Sequence, residues 1–391
     1  MKAFTAYIPT RLLFGAGKLK ELHLQKMPGK RALLVLSRGK SAKESGALKR
    51  TEEELAAAGV SYALFDEIEA NPLKDTVMRG AACARREGCD FILALGGGSV
   101  MDASKAIAAM ATNAGDVWDY ISGGTGKGKT LEKDPLPLIA VTTTAGTGSE
   151  VDAWGVISNP ETNEKIGFGG DDRLFPVLAV VDPQLMLTVP PQYTAYQGFD
   201  ALFHSTEVHI GKFSNGVSDM FTKAAIEAIA AYLPRAVADG NDLEARSKVA
   251  FANTMSGYAM VVASTTSEHS LEHAMSAFHH ELPHGAGLIM ISKAFYGHFA
   301  EKHACDERMI EMARLMGRKD ADKAEDFVAA LAELQKVCGV DGLKMSDYGI
   351  RPDEFEKMAI NAKETMGGLF LADPCPLSVA DCVKIYETSY R

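Results

Sequence analysis

The chain has 391 residues, 47% of them hydrophobic and 24% charged, enough to bury a large core and build two or three domains. A formal net charge of −10 argues against nucleic acid or an anionic membrane as the main partner, because both reward patches of lysine and arginine. The six cysteines form no C-x-x-C pair, no signal-like start is visible and no apolar run reaches membrane-spanning length, so a reducing, cytoplasmic setting is expected.

Residues 4–14 read as a small hairpin appended to a larger sheet. Short apolar runs at 32–36, 62–65, 91–95, 138–141 and 177–181 read as the strands of that sheet, buried on both faces. Between them, 45–58 and 73–87 carry helical periodicity. This βαβα rhythm predicts a doubly wound, mostly parallel sheet. The glycine-rich stretch 123–128 reads as a mobile loop. Past Asp182 the rhythm changes. Pro183, Pro190 and Pro191 punctuate the chain, and helical patterns follow at 193–209, 217–236 and 242–262, with Ile226, Ile229, Ala230 and Leu233 on one face. The expected division is an α/β dinucleotide-binding domain over 1–188 and an all-α, metal-binding catalytic domain over 189–391.

Gly96-Gly97-Gly98-Ser99 directly follows the strand at 91–95 and opens an alanine-rich helix at 100–112. Glycines there permit positive φ and close approach of a phosphate, and the helix start offers unpaired N–H groups. Asp102 falls in the first turn, where it suits the dipole and is able to cap. The spacing is not G-x-G-x-x-G, so the commonest dinucleotide fold is not implied. A second loop, Thr142 to Glu150, follows the strand at 138–141; Thr143, Thr144 and Thr147 suit a polar ligand at a sheet edge.

Asp200 and His204 are four apart on one predicted helix, as are His269 and His273 on another, and His284 follows in Leu282-Pro283-His284-Gly285. Seven of the ten histidines fall between 200 and 284, a density that favours a divalent iron or zinc site over isolated surface histidines. One carboxylate and three neutral imidazoles would leave a divalent ion at net +1, favourable to charge developing on a substrate oxygen. Spacing alone does not choose among the histidines; His209, His279 and His280 read as surface or cleft residues. His269-Ser270-Leu271-Glu272-His273 also satisfies H-x-x-E-H, the inverted zinc-peptidase pattern, with Glu272 as base. That hydrolase reading leaves the glycine turns without a role.

These residues together resemble the iron-containing (group III) alcohol dehydrogenase family. Gly96 to Ser99 with Asp102 and Lys105 is similar to its pyrophosphate motif, Thr142 to Val151 to its second cofactor loop, and Gly198 to Glu207 to its first metal helix. His269-x3-His273 and Pro283-His284-Gly285 are similar to its second metal segment. The resemblance implies hydride transfer between NAD(P)(H) and a small primary alcohol or aldehyde, with a polyol dehydrogenase of the same superfamily as the neighbouring alternative. It implies the metal ligands Asp200, His204, His269 and His284, and His273 as a non-ligand for proton transfer. It adds Asn71 and Lys165 to the cofactor contacts Gly97, Gly98, Ser99, Asp102, Thr143, Thr144 and Thr147, and it implies a homodimer. NAD-specific members tend to place an acid near Gly39. Here Arg38, Gly39, Lys40 and Ser41 present donors instead, so NADP(H) is expected over NAD(H), with Fe2+ or Zn2+ as the metal.

Overall fold

The computed structural model describes residues 3–391. They divide into two compact units: Ile8–Thr188, and Val189–Arg391 with residues 3–7.

The first unit holds the strands β1 (Arg11–Phe14), β2 (Arg31–Ser37), β3 (Ser61–Ile68), β4 (Phe91–Gly96), β5 (Leu138–Thr142), β6 (Trp154–Asn159), β7 (Glu164–Gly169) and β8 (Leu178–Val181), with helices α1 (Ser41–Glu44), α2 (Ala47–Ala57), α3 (Lys74–Arg86) and α4 (Gly98–Thr112). Among the described residues, six strands form one parallel sheet in the order β1-β8-β5-β4-β2-β3. Its central strands are apolar on both faces because helices and turns cover both. Leu34, Leu36, Leu93, Leu95, Ile139, Val141 and Val180 share one core cluster. α4 is buried from Val100 to Met110, and its run of alanines suits close packing. Gly80 of α3 yields to it, since a methyl there would sit 2.5 Å from Ile107 Cδ1.

Three features depart from the sequence reading. The N-terminal hairpin does not form; β1 lies parallel to β8, Arg11 opposite Leu178, and residues 3–10 hold no strand. Leu12 to Phe14 find their partner on the sheet edge rather than in a local turn. The glycine-rich loop is pinned, with Thr125 N donating to Glu164 Oε1 at 2.7 Å and Gly128 N to Ile121 O at 2.8 Å. Glu164 belongs to β7, which pairs antiparallel with β6, a hairpin the sequence reading passed over. Polar residues interrupt its alternation, and its turn holds Asn163 in the left-handed region at φ 51°.

The second unit is helical: α5 (Pro191–Ile210), α6 (Gly216–Ala238), α7 (Leu243–Val262), α8 (Ser267–Phe278), α9 (His284–Glu301), α10 (Asp306–Leu315), α11 (Glu325–Val337), α12 (Phe355–Phe370) and α13 (Val379–Ser389). α5 packs against α6, α7 and α9 and is buried continuously from Phe199 to Ile210. All-round burial explains why α5 shows little amphipathic signal despite being the structural axis. Asn215 and Ser218 form a reciprocal cap at the start of α6. Arg246, buried on α7, donates to Thr194 Oγ1 at 2.7 Å and Val189 O at 2.9 Å, fixing the entry to α5. No helix among the described residues is long and apolar enough to cross a membrane.

Candidate active site

In the first unit the sheet brings the predicted cofactor residues to one edge. β2 leads to β3 on one side, and β4 then returns to the other side of β2 and continues to β5. The chain therefore reverses its direction of winding between β2 and β4, and parallel sheets bind ligands outside the carboxyl ends of the strands at such a point. Arg38 to Ser41 follow β2 there, Gly97 to Ser99 follow β4, and Thr143 to Ser149 follow β5. Arg38, Gly39, Lys40 and Ser41 are exposed. Lys43 next to them pairs with Asp66 at 2.7 Å, whereas no ion pair among the described residues engages Arg38 or Lys40.

The glycine turn works differently from the sequence expectation. None of Gly96, Gly97 and Gly98 has positive φ; Gly97 is extended at φ −89°, ψ −168°. Their smallness serves contact between the two loops. A methyl on Gly97 would lie 2.8 Å from Thr144 Oγ1, and one on Gly98 would strike the Thr147 methyl. The left-handed turn falls in the other loop, at Gly148, φ 66°. No side chain caps α4, so its first N–H groups keep their capacity for an anion.

Asp102 does not cap either. Its Oδ1 accepts from Ser149 Oγ at 2.7 Å and its Oδ2 from Val156 N at 2.9 Å. Burial pushes its carboxyl up to about 6, against the pull of Lys105. Lys105 is fully buried and gives its ammonium to Ser149 Oγ, Asp152 Oδ1 and Trp154 O. These two charged residues clamp α4 to the second loop and to β6. Asn71 sits in the left-handed region at φ 52°, just before Pro72, whose carbonyl accepts from Ser158 N of β6 at 2.8 Å. Lys165 lies buried on β7.

The second unit gathers the metal candidates. α5 presents Asp200 and His204, α8 presents His269 and His273, and His284 is the first residue of α9. Asp200 Oδ1 stands 3.4 Å from His204 Nδ1, 3.5 Å from His269 Nε2 and 3.5 Å from His284 Nε2. The donor atoms of Asp200, His269 and His284 lie within 4.8 Å of one another, close enough to share a divalent cation, whereas His204 approaches Asp200 but lies outside that group. Asp200 Oδ1 and His269 Nε2 are buried without a hydrogen-bond partner, a costly arrangement unless an ion satisfies them. The His204 and His269 rings stack with centroids 4.2 Å apart.

Comparison with known proteins decides what this pair of arrangements belongs to. Residues 9–183 match the family description "Iron-containing alcohol dehydrogenase", and residues 194–390 match "Fe-containing alcohol dehydrogenase family, C-terminal". The chain belongs to the iron-containing alcohol dehydrogenase family. It is 34% identical to the 1,3-propanediol dehydrogenase of Klebsiella pneumoniae, over 92% of each chain. It is 30% identical to the NAD-dependent methanol dehydrogenase of Bacillus methanolicus, over 98% of this chain and 99% of that one. Among solved structures it resembles the alcohol dehydrogenase of an archaeal halo-thermophile from a Red Sea brine pool, with 34% identity, TM-score 0.94 and all of both chains covered.

Behind two of the candidate ligands stand buried carboxylates. His269 Nδ1 bonds Glu207 Oε1, and Glu207 Oε2 accepts from Thr266 N at 2.7 Å and Thr266 Oγ1 at 2.8 Å. His284 Nδ1 bonds Glu272 Oε2. A carboxylate behind Nδ1 fixes the tautomer that turns Nε2 inward and strengthens it as a donor. Burial alone would raise the Asp200 carboxyl, but the neighbouring His204 and His284 charges hold it well below the usual range. Burial works against a charged His269, yet Glu207 and Asp200 push it up to about 10. A cation entering the nest therefore displaces protons.

Sequence reasoning missed Glu207 and assigned Glu272 differently. Glu272 is fully buried and bonds the His284 ring, and its donor atoms also group with those of His273 and His284. The available signal was spacing: Glu207 is three residues beyond His204, on the same helix as two candidate ligands. His209, read as a surface or cleft residue, is fully buried between Thr222 and Glu311. His273 lies beside the nest, its ring 5.3 Å from that of His284.

Proposed function

We propose that this chain transfers a hydride between NADP(H) and a small primary alcohol or aldehyde, using a divalent iron or zinc ion, and that it acts as a homodimer. The grouping of the Asp200, His269 and His284 donor atoms, with His204 Nδ1 3.4 Å from Asp200 Oδ1, carries the reading. A divalent ion in that nest supplies Lewis-acid polarisation of a carbonyl oxygen, and the nicotinamide supplies the hydride. Asp200, His269 and His284, with His204 beside them, would hold the cation, while Glu207 and Glu272 keep His269 and His284 turned inward. The N–H groups opening α4 bind the pyrophosphate, with Thr143, Thr144 and Thr147 lining the same edge. His273 passes a proton to or from the substrate oxygen. Relatives named for 1,3-propanediol, methanol and butanol support small primary alcohols and keep diols among the candidates.

The coenzyme reading rests on Gly39. Relatives carry NAD or NADH in their names, yet here no carboxylate stands at the end of β2 to repel a 2′-phosphate, and Arg38, Lys40 and Ser41 offer donors. The test is anaerobic purification, metal analysis, and a panel of aldehydes and diols with NADPH and NADH. Aldehyde reduction that favours NADPH, and that His269→Ala abolishes together with bound metal, is the expected result. Metal-replete protein that oxidises neither coenzyme with any carbonyl overturns the function, and a clear NADH preference overturns the coenzyme assignment.

A further inference from the structure

The chain has two tryptophans in opposite surroundings. Trp118 is buried, and its Nε1 donates to Thr125 Oγ1 at 2.9 Å. Trp154 opens β6 and is 51% exposed, although Asp152, Ala153 and Gly155 around it are buried. One exposed aromatic residue is ordinary on a protein surface, so exposure alone says little. The way this one is held says more.

Its main chain is fixed on both sides of Cα. Trp154 N donates to Asp152 Oδ1 at 2.8 Å, and Trp154 O accepts from the buried Lys105 ammonium. Its indole is seated on the end of β7. A methyl added to Gly170 would come within 2.6 Å of the six-membered ring, and one added to Gly169 would strike Ala153 O. Both glycines have positive φ, 129° and 80°, and Gly170 N donates to Ala153 O at 3.2 Å. Two glycines thus make a seat that no larger residue would leave open. A ring held in this way offers aromatic contact area at little further cost in side-chain entropy.

The seat lies beside the start of α4. A methyl built on Gly155, the next residue, would be 2.8 Å from Asp102 Cα, and Val156 N donates to Asp102 Oδ2. Asp102 is four residues past Gly98, about 6 Å along the helix axis. Trp154 therefore stands on the order of 10 Å from the N–H groups proposed to hold the pyrophosphate, within the span of one ribose and one nicotinamide. Its side of the sheet agrees. Arg38 to Ser41, proposed for the adenosine half, follow β2 on one side of β4, whereas Trp154 follows the loop after β5, on the other side. A dinucleotide laid across the start of α4 with its adenosine toward β2 has its nicotinamide toward β5.

We propose that Trp154 is a positioning residue for the coenzyme, its exposed indole forming the wall against which the nicotinamide half stacks. The inference rests on the coenzyme reading above and adds the residue that orients the reactive ring. Offset aromatic rings gain beyond the area they bury, and the face of an indole attracts a cationic ring, as oxidised nicotinamide is, more than other aromatic side chains do.

Full-length Trp118→Phe leaves Trp154 as the sole tryptophan, so its emission reports this position alone. NADP+ or NAD+, whichever calorimetry shows to bind, should quench most of that emission. ADP-ribose and its 2′-phosphate keep the pyrophosphate, lack the nicotinamide, and should leave it nearly unchanged. The difference in emission between wild type and Trp154→Phe gives the same readout with Trp118 in place. Trp154→Ala should weaken binding of the oxidised coenzyme by about 3- to 10-fold at unchanged ADP-ribose affinity, which also shows that the variant keeps its fold. Coenzyme that binds without dimming Trp154, or equal losses of coenzyme and ADP-ribose affinity in Trp154→Ala, overturns the proposal and makes Trp154 a brace for the second loop. A wild-type protein that binds none of these ligands refutes the coenzyme reading itself, and the proposal with it.

Discussion

Gly39→Asp is the sharpest probe of how the first unit reads its coenzyme. Gly39 is exposed and outside the left-handed region, and a methyl built on it meets only Ser37 Oγ, at an ordinary 3.6 Å. The substitution should therefore fold without strain. Its effect is electrostatic, between one new carboxylate and a 2′-phosphate carrying about −1.5 to −2 charges. At about 6 Å, two unit charges repel by ~0.7 kcal/mol in bulk water and ~2.8 kcal/mol at the effective dielectric of a protein surface. An exposed position lies toward the lower figure, so roughly 1–3 kcal/mol against NADPH is expected, a loss of about 5- to 150-fold in kcat/KM. NADH lacks that phosphate and should be nearly unaffected, so the ratio of the two coenzymes isolates the contact from any general damage. Stopped-flow or steady-state assays at low ionic strength, repeated in about 0.5 M salt, add a second signature, because screening should shrink the discrimination. Equal losses with both coenzymes, or none with NADPH, would show that no phosphate sits beside residue 39.

Three more expectations rest on the same geometry. Glu207→Gln should weaken metal binding by about 10- to 100-fold, read by competition with a chromogenic chelator, because His269 loses the charged acceptor behind Nδ1; an unchanged affinity would make Glu207 purely a brace for Thr266. Lys105→Met strands Asp152 in the interior and should cost about 3–5 kcal/mol in urea unfolding, with Lys105→Met/Asp152→Asn recovering part of it. No recovery would mean that the lost contacts to Ser149 and Trp154, rather than the orphaned charge, set the cost. Burial, aided by the Arg308 charge, pushes His209 down to about 4 against the pull of Asp219 and Glu311. Above about pH 6.5 the ring is neutral both folded and unfolded. As pH falls from 6.5 to about 4 only the unfolded chain takes the proton, so up to about 3 kcal/mol of stability is lost across that window. A His209→Gln variant should lose correspondingly less across the same window in paired denaturation curves; parallel curves would contradict the burial argument.

What could be read from the sequence, and what could not, divides by the range of the interaction. The parallel strands were legible because continuous apolar runs such as Leu33 to Leu36 and Ile92 to Leu95 have one inexpensive home, a sheet covered on both sides. Asp200/His204 and His269/His273 were legible as pairs because i,i+4 spacing on a helix is local geometry. The positive φ expected of Gly97 and Gly98 is absent, and their smallness instead admits Thr144 and Thr147, neighbours remote in sequence. No local rule distinguishes a glycine needed for φ from one needed to let another loop approach. The same holds for Asp102 and Lys105. Their place at the start of α4 suggested contact with a phosphate, but Ser149, Asp152, Trp154 and Val156 use both carboxylate oxygens and the ammonium within the protein.

That outcome carries a physical lesson about the glycine turn. An anion at the start of α4 needs N–H groups whose direction is fixed before it arrives, and the costliest way to lose affinity is to order a loop on binding. A buried ammonium with three acceptors and a carboxylate with two donors are expensive to keep out of water, and they persist only where both are fully engaged. Here they hold Ser149, at the end of the second loop, against the start of α4. The metal nest repeats the logic with opposite sign. Glu207 and Glu272 are buried carboxylates, and each bonds Nδ1 of a histidine whose Nε2 faces Asp200. In both units, then, buried charged groups brace the residues proposed to bind, and substituting them should alter affinity through geometry before it alters chemistry.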